Sequence, residues 1–314
     1  MDIKTKFEDF VVKEVINFNL SEGNQAYFKL KKTGWNTLDA VNEIAKRLNI
    51  KSNKIGFAGI KDKNAVTEQV ISIENADKAK VESLKIKNLS LTYIGNGKEK
   101  INSSMLIGNK FKIVIRNLEK PNMKTVEHMP NYFGEQRFGM NAANHVAGKA
   151  IVKKEFSKAA EVLGVKDLAT VDKKLIKLIF NSYQSYLFNI VLGEYIKHKS
   201  KDVKEVSTNF GKLVFSDYHD DAKIPLMAFD TMLEGEIGEI YKRVLENENV
   251  SKNDFIIKRF PFLVSLTQYR DAFVKVKNFE SFVEEDEMGK LKQTLVFELP
   301  KGSYATILVN YLYA

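Results

Sequence analysis

The chain has 314 residues, 44% of them hydrophobic, which is enough for one large or two medium domains with a sizeable core. The absence of cysteine excludes disulfides, thiolate metal sites and a cysteine nucleophile, and without a leader or a membrane-spanning apolar run we expect a soluble, cytoplasmic protein. A net charge of +9 and a pI near 9.2 favour a polyanionic partner, most simply nucleic acid.

The first elements in chain order are two predicted strands and a helix. Residues 6–15 form a strand that carries Glu14 near its end. The strand at 25–31 has one face that combines a ring with cations, namely Tyr27, Lys29 and Lys31. That face is either a half-exposed surface with solubilising lysines or an aromatic and cationic surface for RNA. Helical spacing then predicts a helix at 37–48 with Thr37 as its N-cap.

A densely polar loop follows, between two apolar runs at 55–60 and 70–73. The pattern predicts a strand, a loop and a second strand. The loop holds Asp62 between Lys61 and Lys63. It is either an ordinary surface turn or a catalytic loop, since neighbouring cations stabilise an ionised carboxylate and so suit a nucleophile or general base.

The chain up to about residue 120 continues as a β-rich region. We predict a solvated helix within 77–87, a strand at 89–94, a Gly-Asn-Gly-Lys turn at 95–98 and an alternating strand at 111–116.

Residues 130–139 form a second dense polar and aromatic segment. It places three aromatic residues among polar side chains, with Tyr132, Phe133 and Phe138 beside Asn131, Gln136 and Arg137. One interpretation is an aromatic loop packed on the core. The other is a base-binding loop, in which a ring stacks on a flipped base while amides recognise its Watson–Crick edge.

The region after residue 141 changes to helical patterns, including a long helix at 172–198 whose apolar stripe is typical of packing. His219 lies beside three aspartates, but the other histidines form no matching ligand set, so we expect no metal site. Strands are predicted at 271–276 and 294–299, joined by an acidic patch at 284–287.

Several of these segments resemble one known family. The stretch Ala58–Gln69, AGIKDKNAVTEQ, resembles the signature of the TruD family of tRNA pseudouridine synthases, in which the motif aspartate is the nucleophile. The resemblance extends to three further stretches, at 9–14, 131–139 and 297–306, and to Arg270. The chain departs from the family at Asn310 and Tyr311, where many members have Arg-Glu.

The resemblance implies that Asp62 is catalytic and that a D-arm uridine of tRNA, position 13, is converted to pseudouridine without a cofactor or metal. The expected substrate-binding residues are Glu14, Lys61, Asn131, Phe133, Gln136 and Arg137. The carboxylate either adds covalently or promotes a glycal route. The alternatives are a non-catalytic RNA-binding protein of the same fold and a nucleotide hydrolase, which ranks last because no Walker-type phosphate loop is present. We expect a monomer that binds tRNA.

The fold expected from both arguments is α+β. Strand-rich ends surround a helix-rich middle. The resemblance implies a pseudouridine synthase catalytic domain with a mixed, largely antiparallel sheet and flanking helices, formed by residues 1–142 and 265–314, with an inserted α/β TRUD domain at 143–264.

Overall fold

A computed structural model describes residues 2–286 and 289–314, with only the backbone of Met140. The elements in chain order are β1 (Asp2–Ile3), β2 (Phe10–Ile16), β3 (Gln25–Thr33), α1 (Thr37–Leu48), β4 (Ile55–Phe57), β5 (Val66–Glu74), α2 (Lys78–Glu82), β6 (Leu89–Gly97), β7 (Leu106–Leu118), β8 (His128–Pro130), α3 (Ala143–Val152), α4 (Phe156–Val162), α5 (Lys173–Lys199), β9 (Lys204–Thr208), β10 (Gly211–Phe215), β11 (Lys223–Leu226), α6 (Gly235–Glu248), β12 (Gln268–Asp271), β13 (Phe273–Lys275), β14 (Lys277–Glu285), β15 (Leu291–Pro300) and α7 (Ala305–Leu312).

The chain divides into two compact units, and the first comprises Met1–Glu127 and Lys275–Gly302. Its sheet has the strand order β14-β15-β7-β2-β5-β3-β6, with β1 added on β7 and β4 on β5. The β2–β5 pair is parallel and the other described pairs of this sheet are antiparallel. This mixed, mostly antiparallel sheet confirms the predicted α+β class.

Helix α1 covers one face of this sheet. Its apolar side chains pack with the buried residues of β3 and β5 in one core cluster, which includes Phe28, Val41 and Ile71. The predicted cap is wrong by one residue, because the Asn36 side chain accepts from the backbone of Asp39 at 2.8 Å. Thr37 is instead the first helical residue and is fully buried. Because its hydroxyl does not cap the helix, it can bond to the neighbouring loop.

Strand β6 shows why a local turn signal fails. The predicted turn at 95–98 is wrong, since residues 95–97 continue β6 and pair with β3. Gly97 faces the ring of Tyr27, whose hydroxyl oxygen would lie 2.2 Å from any Cβ placed there. The glycine is therefore needed for close packing and does not form a turn.

The aromatic member of the predicted RNA surface on β3 is not available to RNA. Tyr27 is only 1% exposed and its hydroxyl donates to the carbonyl of Glu99 at 2.8 Å. Lys29 and Lys31 are exposed, as the alternation predicts. The interpretation as an aromatic stacking face is therefore wrong for this strand, and the solubilising interpretation describes it better.

Two strand limits also differ from the prediction. A 3-10 turn at Phe7–Asp9 precedes β2, so the strand predicted at 6–15 begins only at Phe10. The acidic patch at 284–287 is not a simple connection, because Glu284 and Glu285 end strand β14; residue 287 lies outside the described residues.

The second unit comprises His128–Val274 and Ser303–Ala314. Its centre is the 27-residue helix α5, which buries fifteen of its residues against α3, α6 and the short strands around it. The Asp172 side chain caps α5 and accepts from the backbone of Lys174 at 2.8 Å, and the helix ends at Lys199, one residue beyond the predicted range of 172–198. The predicted inserted domain at 143–264 falls within this unit, and its limits stay a prediction.

None of the described helices, α5 included, combines the length and apolar character needed to cross a membrane.

Candidate active site

In the first unit, the loop between β4 and β5 presents Asp62 to a group of cations. The Lys4 ammonium donates to Asp62 Oδ2 at 2.5 Å, and both side chains are about one-fifth exposed, at 23% and 20%. The Lys4 nitrogen also lies 4.2 Å from the centroid of the Phe10 ring. Because a charged donor orients a carboxylate strongly, the Lys4 contact fixes where this accessible acid points.

Lys32 supports the same loop from inside the protein. It is 1% exposed, and its ammonium donates to the backbone carbonyls of Trp35 at 2.5 Å and Asp62 at 3.2 Å. The pKa of Lys32 is lowered to about 8, chiefly by burial. The nearby Asp62 carboxylate raises the pKa and the neighbouring Lys61 charge lowers it. A buried cation thus lies directly beneath the backbone of the candidate nucleophile.

Lys61 and Glu14 form a buried ion pair. The Lys61 nitrogen lies 3.0 Å from Glu14 Oε1, and the two side chains are 6% and 0% exposed. Lys61 also donates to Asn109 Oδ1 at 2.7 Å, while Glu14 Oε2 accepts from the backbone of Val70 at 3.2 Å. The pair therefore ties β2, β5 and β7 to the Asp62 loop.

A second set of hydrogen bonds holds the loop backbone. The Lys61 amide donates to the Thr37 hydroxyl at 2.9 Å, and that hydroxyl donates to Gln69 Oε1 at 2.9 Å. The Gln69 amide then donates to the carbonyl of Gly59 at 3.2 Å. Since these side chains are buried, the loop on both sides of residue 60 is fixed before any substrate arrives.

In the second unit, Asn131 follows β8 and is satisfied by protein partners. Its side-chain nitrogen donates to the carbonyl of Asp271 at 2.9 Å. Its Oδ1 accepts from Arg270 at 2.6 Å and from the Ser303 hydroxyl at 3.2 Å. The Asn131 side chain, 4% exposed, is thus held in one orientation.

The Phe133 ring is enclosed, with only 7% of the residue exposed. Its backbone is clamped by Asn189, which accepts from the Phe133 amide and donates to the Phe133 carbonyl, both at 2.9 Å. The ring makes an edge contact with Phe188, and the Arg270 guanidinium lies 4.1 Å from its centroid. This packing fits the core-anchored interpretation of the segment, and a stacking role for Phe133 stays a prediction.

The remaining residues of this segment divide into buried and accessible ones. Tyr132 and Phe138 are fully buried, and the Tyr132 hydroxyl donates to the carbonyl of Val214 at 2.7 Å. Gln136 is exposed on the 3-10 turn at Glu135–Arg137. Arg137 is partly buried, and its Nε donates to the Ser185 hydroxyl at 2.9 Å.

The structure brings together Asp62, Lys61 and Glu14 in the first unit, and Asn131, Phe133 and Arg137 in the second. Sequence reasoning missed the residues that hold them. These are Lys4, Lys32, Asn109 and the hydroxyl of Thr37 in the first unit, and Ser185 and Asn189 in the second; Arg270, which the resemblance includes, holds Asn131. A signal existed for Lys32, which shares the inward positions of Phe28 and Leu30 in an alternating strand.

His219 and the neighbouring Asp220 contact other protein side chains. The His219 ring stacks on His128, with centroids 4.0 Å apart. Asp220 accepts hydrogen bonds from the hydroxyls of Tyr195 and Tyr218, at 2.5 and 2.6 Å. Within the described ranges, no group of three or more metal-ligating side chains is found.

Comparison with known proteins defines the class to which this fold and site belong. The family model described as tRNA pseudouridine synthase D (TruD) matches residues 1–167 and 205–311. The chain therefore belongs to the TruD family of tRNA pseudouridine synthases, which are isomerases.

Individual relatives match over nearly the whole chain. The tRNA pseudouridine synthase D of Aquifex aeolicus is 31% identical over 379 aligned positions, covering 99% of this chain and 97% of the relative. A Thermococcus sibiricus protein, named "Probable tRNA pseudouridine synthase D", is 30% identical over 400 positions, covering 98% and 93%. The crystal structure of a Methanosarcina mazei protein described as tRNA pseudouridine synthase D (TruD) superposes with a TM-score of 0.75 at 27% identity, covering 99% and 93%.

Proposed function

We propose that this protein converts a uridine in the D-arm of tRNA, position 13, to pseudouridine, with Asp62 as the catalytic carboxylate and without a cofactor. The observation that carries the proposal is a nearly full-length family match in a chain whose motif aspartate is accessible and held by Lys4. The net charge of +9 is consistent with a polyanionic RNA substrate.

The reaction needs no external reagent. The bond between N1 of uracil and C1′ of ribose breaks, the base turns, and C5 bonds to C1′. C5 loses one proton and N1 gains one, so atoms and electrons balance within the nucleotide. A carboxylate can act by adding covalently or by promoting a glycal and stabilising the cationic sugar, and Asp62 is suited to either route because it is partly exposed on a fixed loop.

The other residues of the first unit then have positioning roles. Lys4 orients the carboxylate through its 2.5 Å contact, while Lys32 fixes the Asp62 backbone. Lys61 and Glu14, which form a buried pair, hold the loop from behind and do not contact the uridine in this proposal. In the second unit, we propose that the clamped Asn131 and Phe133 help position the target base.

The test compares the parent protein with Asp62→Asn and Asp62→Ala on an unmodified tRNA transcript. Pseudouridine is mapped by carbodiimide labelling and primer extension. We expect one stop at the D-arm uridine with the parent protein and none with either variant, while circular dichroism shows both variants folded. Activity of the folded variants would exclude Asp62 as the essential carboxylate.

The second candidate is a non-catalytic RNA-binding protein of the same fold. The Phe133 ring favours this candidate, because a ring in a residue that is only 7% exposed serves packing. Salt-dependent tRNA binding without any carbodiimide stop, on a panel of transcripts that includes the natural tRNAs of the source organism, would support this candidate over catalysis.

A further inference from the structure

Arg137 is held in an unusual way for a partly buried cation. Its Nε donates to the Ser185 hydroxyl at 2.9 Å, and that hydroxyl in turn donates to the carbonyl of Asn181 at 2.9 Å. Because the hydroxyl proton is used on Asn181, the Ser185 oxygen acts as an acceptor for Arg137. The guanidinium carbon also lies 5.4 Å from the centroid of the Phe133 ring. One side of the guanidinium is therefore anchored.

The opposite edge of the guanidinium is unused by the protein. Within the described part of the chain, neither terminal nitrogen of Arg137 has a hydrogen-bond partner, and no carboxylate oxygen lies within 4.0 Å. Arg137 is only partly buried, so the residue retains access to solvent. An arginine offers up to five N–H donors in a fixed plane, and its terminal edge matches two oxygens of a phosphate.

The surroundings favour an anion at that edge. The Arg270 guanidinium lies on the same Phe133 ring, 4.1 Å from the centroid, so two cations approach one ring. Burial lowers the pKa of Arg137 and lowers that of Arg270 to about 10, while the nearby Tyr304 hydroxyl raises both. The Arg137 charge lowers the pKa of Arg270, and Asp271 raises it. Keeping these two cations close together costs free energy, and a bound anion offsets that cost.

We propose that the terminal edge of Arg137 is a phosphate subsite, which binds one phosphodiester group of the RNA strand that carries the target uridine. This inference rests on the proposed function for the identity of the RNA, but its chemistry is independent of which residue is the nucleophile. The subsite positions the backbone and carries no base preference.

The test is the salt dependence of tRNA binding by the parent, Arg137→Gln and Arg137→Lys. Removing one phosphate contact reduces the slope of log K against log salt by about 0.7 to 0.9. We expect that reduction, with about tenfold weaker binding at low salt, for Arg137→Gln. Arg137→Lys keeps the charge and should retain the parent slope. The matched control is Arg259→Gln, because Arg259 also stacks on a ring, Phe156, but already has Asp167 as its partner.

A chemically altered RNA locates the contact. In a stem-loop with one uncharged methylphosphonate linkage beside the target uridine, the affinities of the parent and Arg137→Gln should converge at one linkage position. An unchanged salt slope for Arg137→Gln, or equal losses at every linkage position, would overturn the proposal. If pseudouridine forms but the slope is unchanged, only the subsite fails. If the slope changes but no pseudouridine forms, only the proposed catalysis fails.

Discussion

The buried pair of Glu14 and Lys61 allows a sharp test of what holds the Asp62 loop. Glu14→Gln keeps the size of the side chain but leaves the Lys61 ammonium without its carboxylate, in a position that is 6% exposed. Removing one partner of a buried ion pair costs about 3 to 5 kcal/mol, because the remaining charge is uncompensated. We therefore expect the free energy of unfolding of the first unit to fall by about that amount.

A double variant at Glu14 and Lys61 tests whether the loss of stability comes from the uncompensated charge. Glu14→Gln combined with Lys61→Met removes both charges, and replacing a buried pair by neutral groups of similar volume is often close to neutral. We expect the double variant to regain most of the stability lost in Glu14→Gln. The exposed pair of Glu43 and Arg47 on α1 is the control, because Glu43→Gln should cost less than about 1 kcal/mol.

The assay is urea unfolding followed by tryptophan fluorescence. The chain has one tryptophan, Trp35, which packs on the core cluster of the first unit and so reports on that unit alone. A loss below about 1 kcal/mol for Glu14→Gln would show that the pair does not hold the loop. Additive losses in the double variant would refute the reasoning from uncompensated charge.

Three further outcomes are expected. Lys4→Met should lower the catalytic rate at least tenfold without changing the unfolding midpoint, since it removes the donor that orients Asp62 on an accessible loop; single-turnover kinetics measure this. The stability of the parent relative to Lys32→Met should rise by up to about 3 kcal/mol between pH 8 and 10.5, because folded Lys32 loses its proton before the unfolded chain does; urea titrations across that range measure it. Asn189→Ala should cost about 2 to 3 kcal/mol and reduce uridine conversion, since it leaves the buried amide and carbonyl of Phe133 unpaired; unfolding of the second unit, followed by tyrosine circular dichroism, measures the first effect.

The sequence predicts the Asp62 loop well because its signals are local. Apolar runs bound a polar segment, and the structure has β4, a loop and β5 in that order. The sequence also predicts the inward positions of β7, where Phe111, Ile113 and Ile115 are buried. These features depend on alternation along one strand, which a single sequence displays directly.

The contacts that organise the candidate sites are not local, and so the sequence does not show them. Glu14 on β2 reaches Lys61 in the loop between β4 and β5, and Asn189 reaches Phe133 across 56 positions in the chain. The Gly-Asn-Gly segment at 95–97 failed as a turn prediction for the same reason. A Cβ at Gly97 would meet the Tyr27 ring on the neighbouring strand, and a Cβ at Gly95 would meet the side chain of Leu20.

The surroundings of Lys32, Lys61 and Arg137 show why the number of cations in a motif does not predict which of them bind RNA. Lys61 and Lys32 lie in or beneath the Asp62 loop, yet Lys61 is paired with Glu14 and donates to Asn109, and Lys32 donates to backbone carbonyls. An ammonium that is buried against protein acceptors neutralises no phosphate. Arg137 differs because a hydroxyl anchors its Nε, while its terminal nitrogens have no acceptor among the described residues. The geometry of the donors, more than the net charge of +9, therefore determines which cations can bind the RNA backbone.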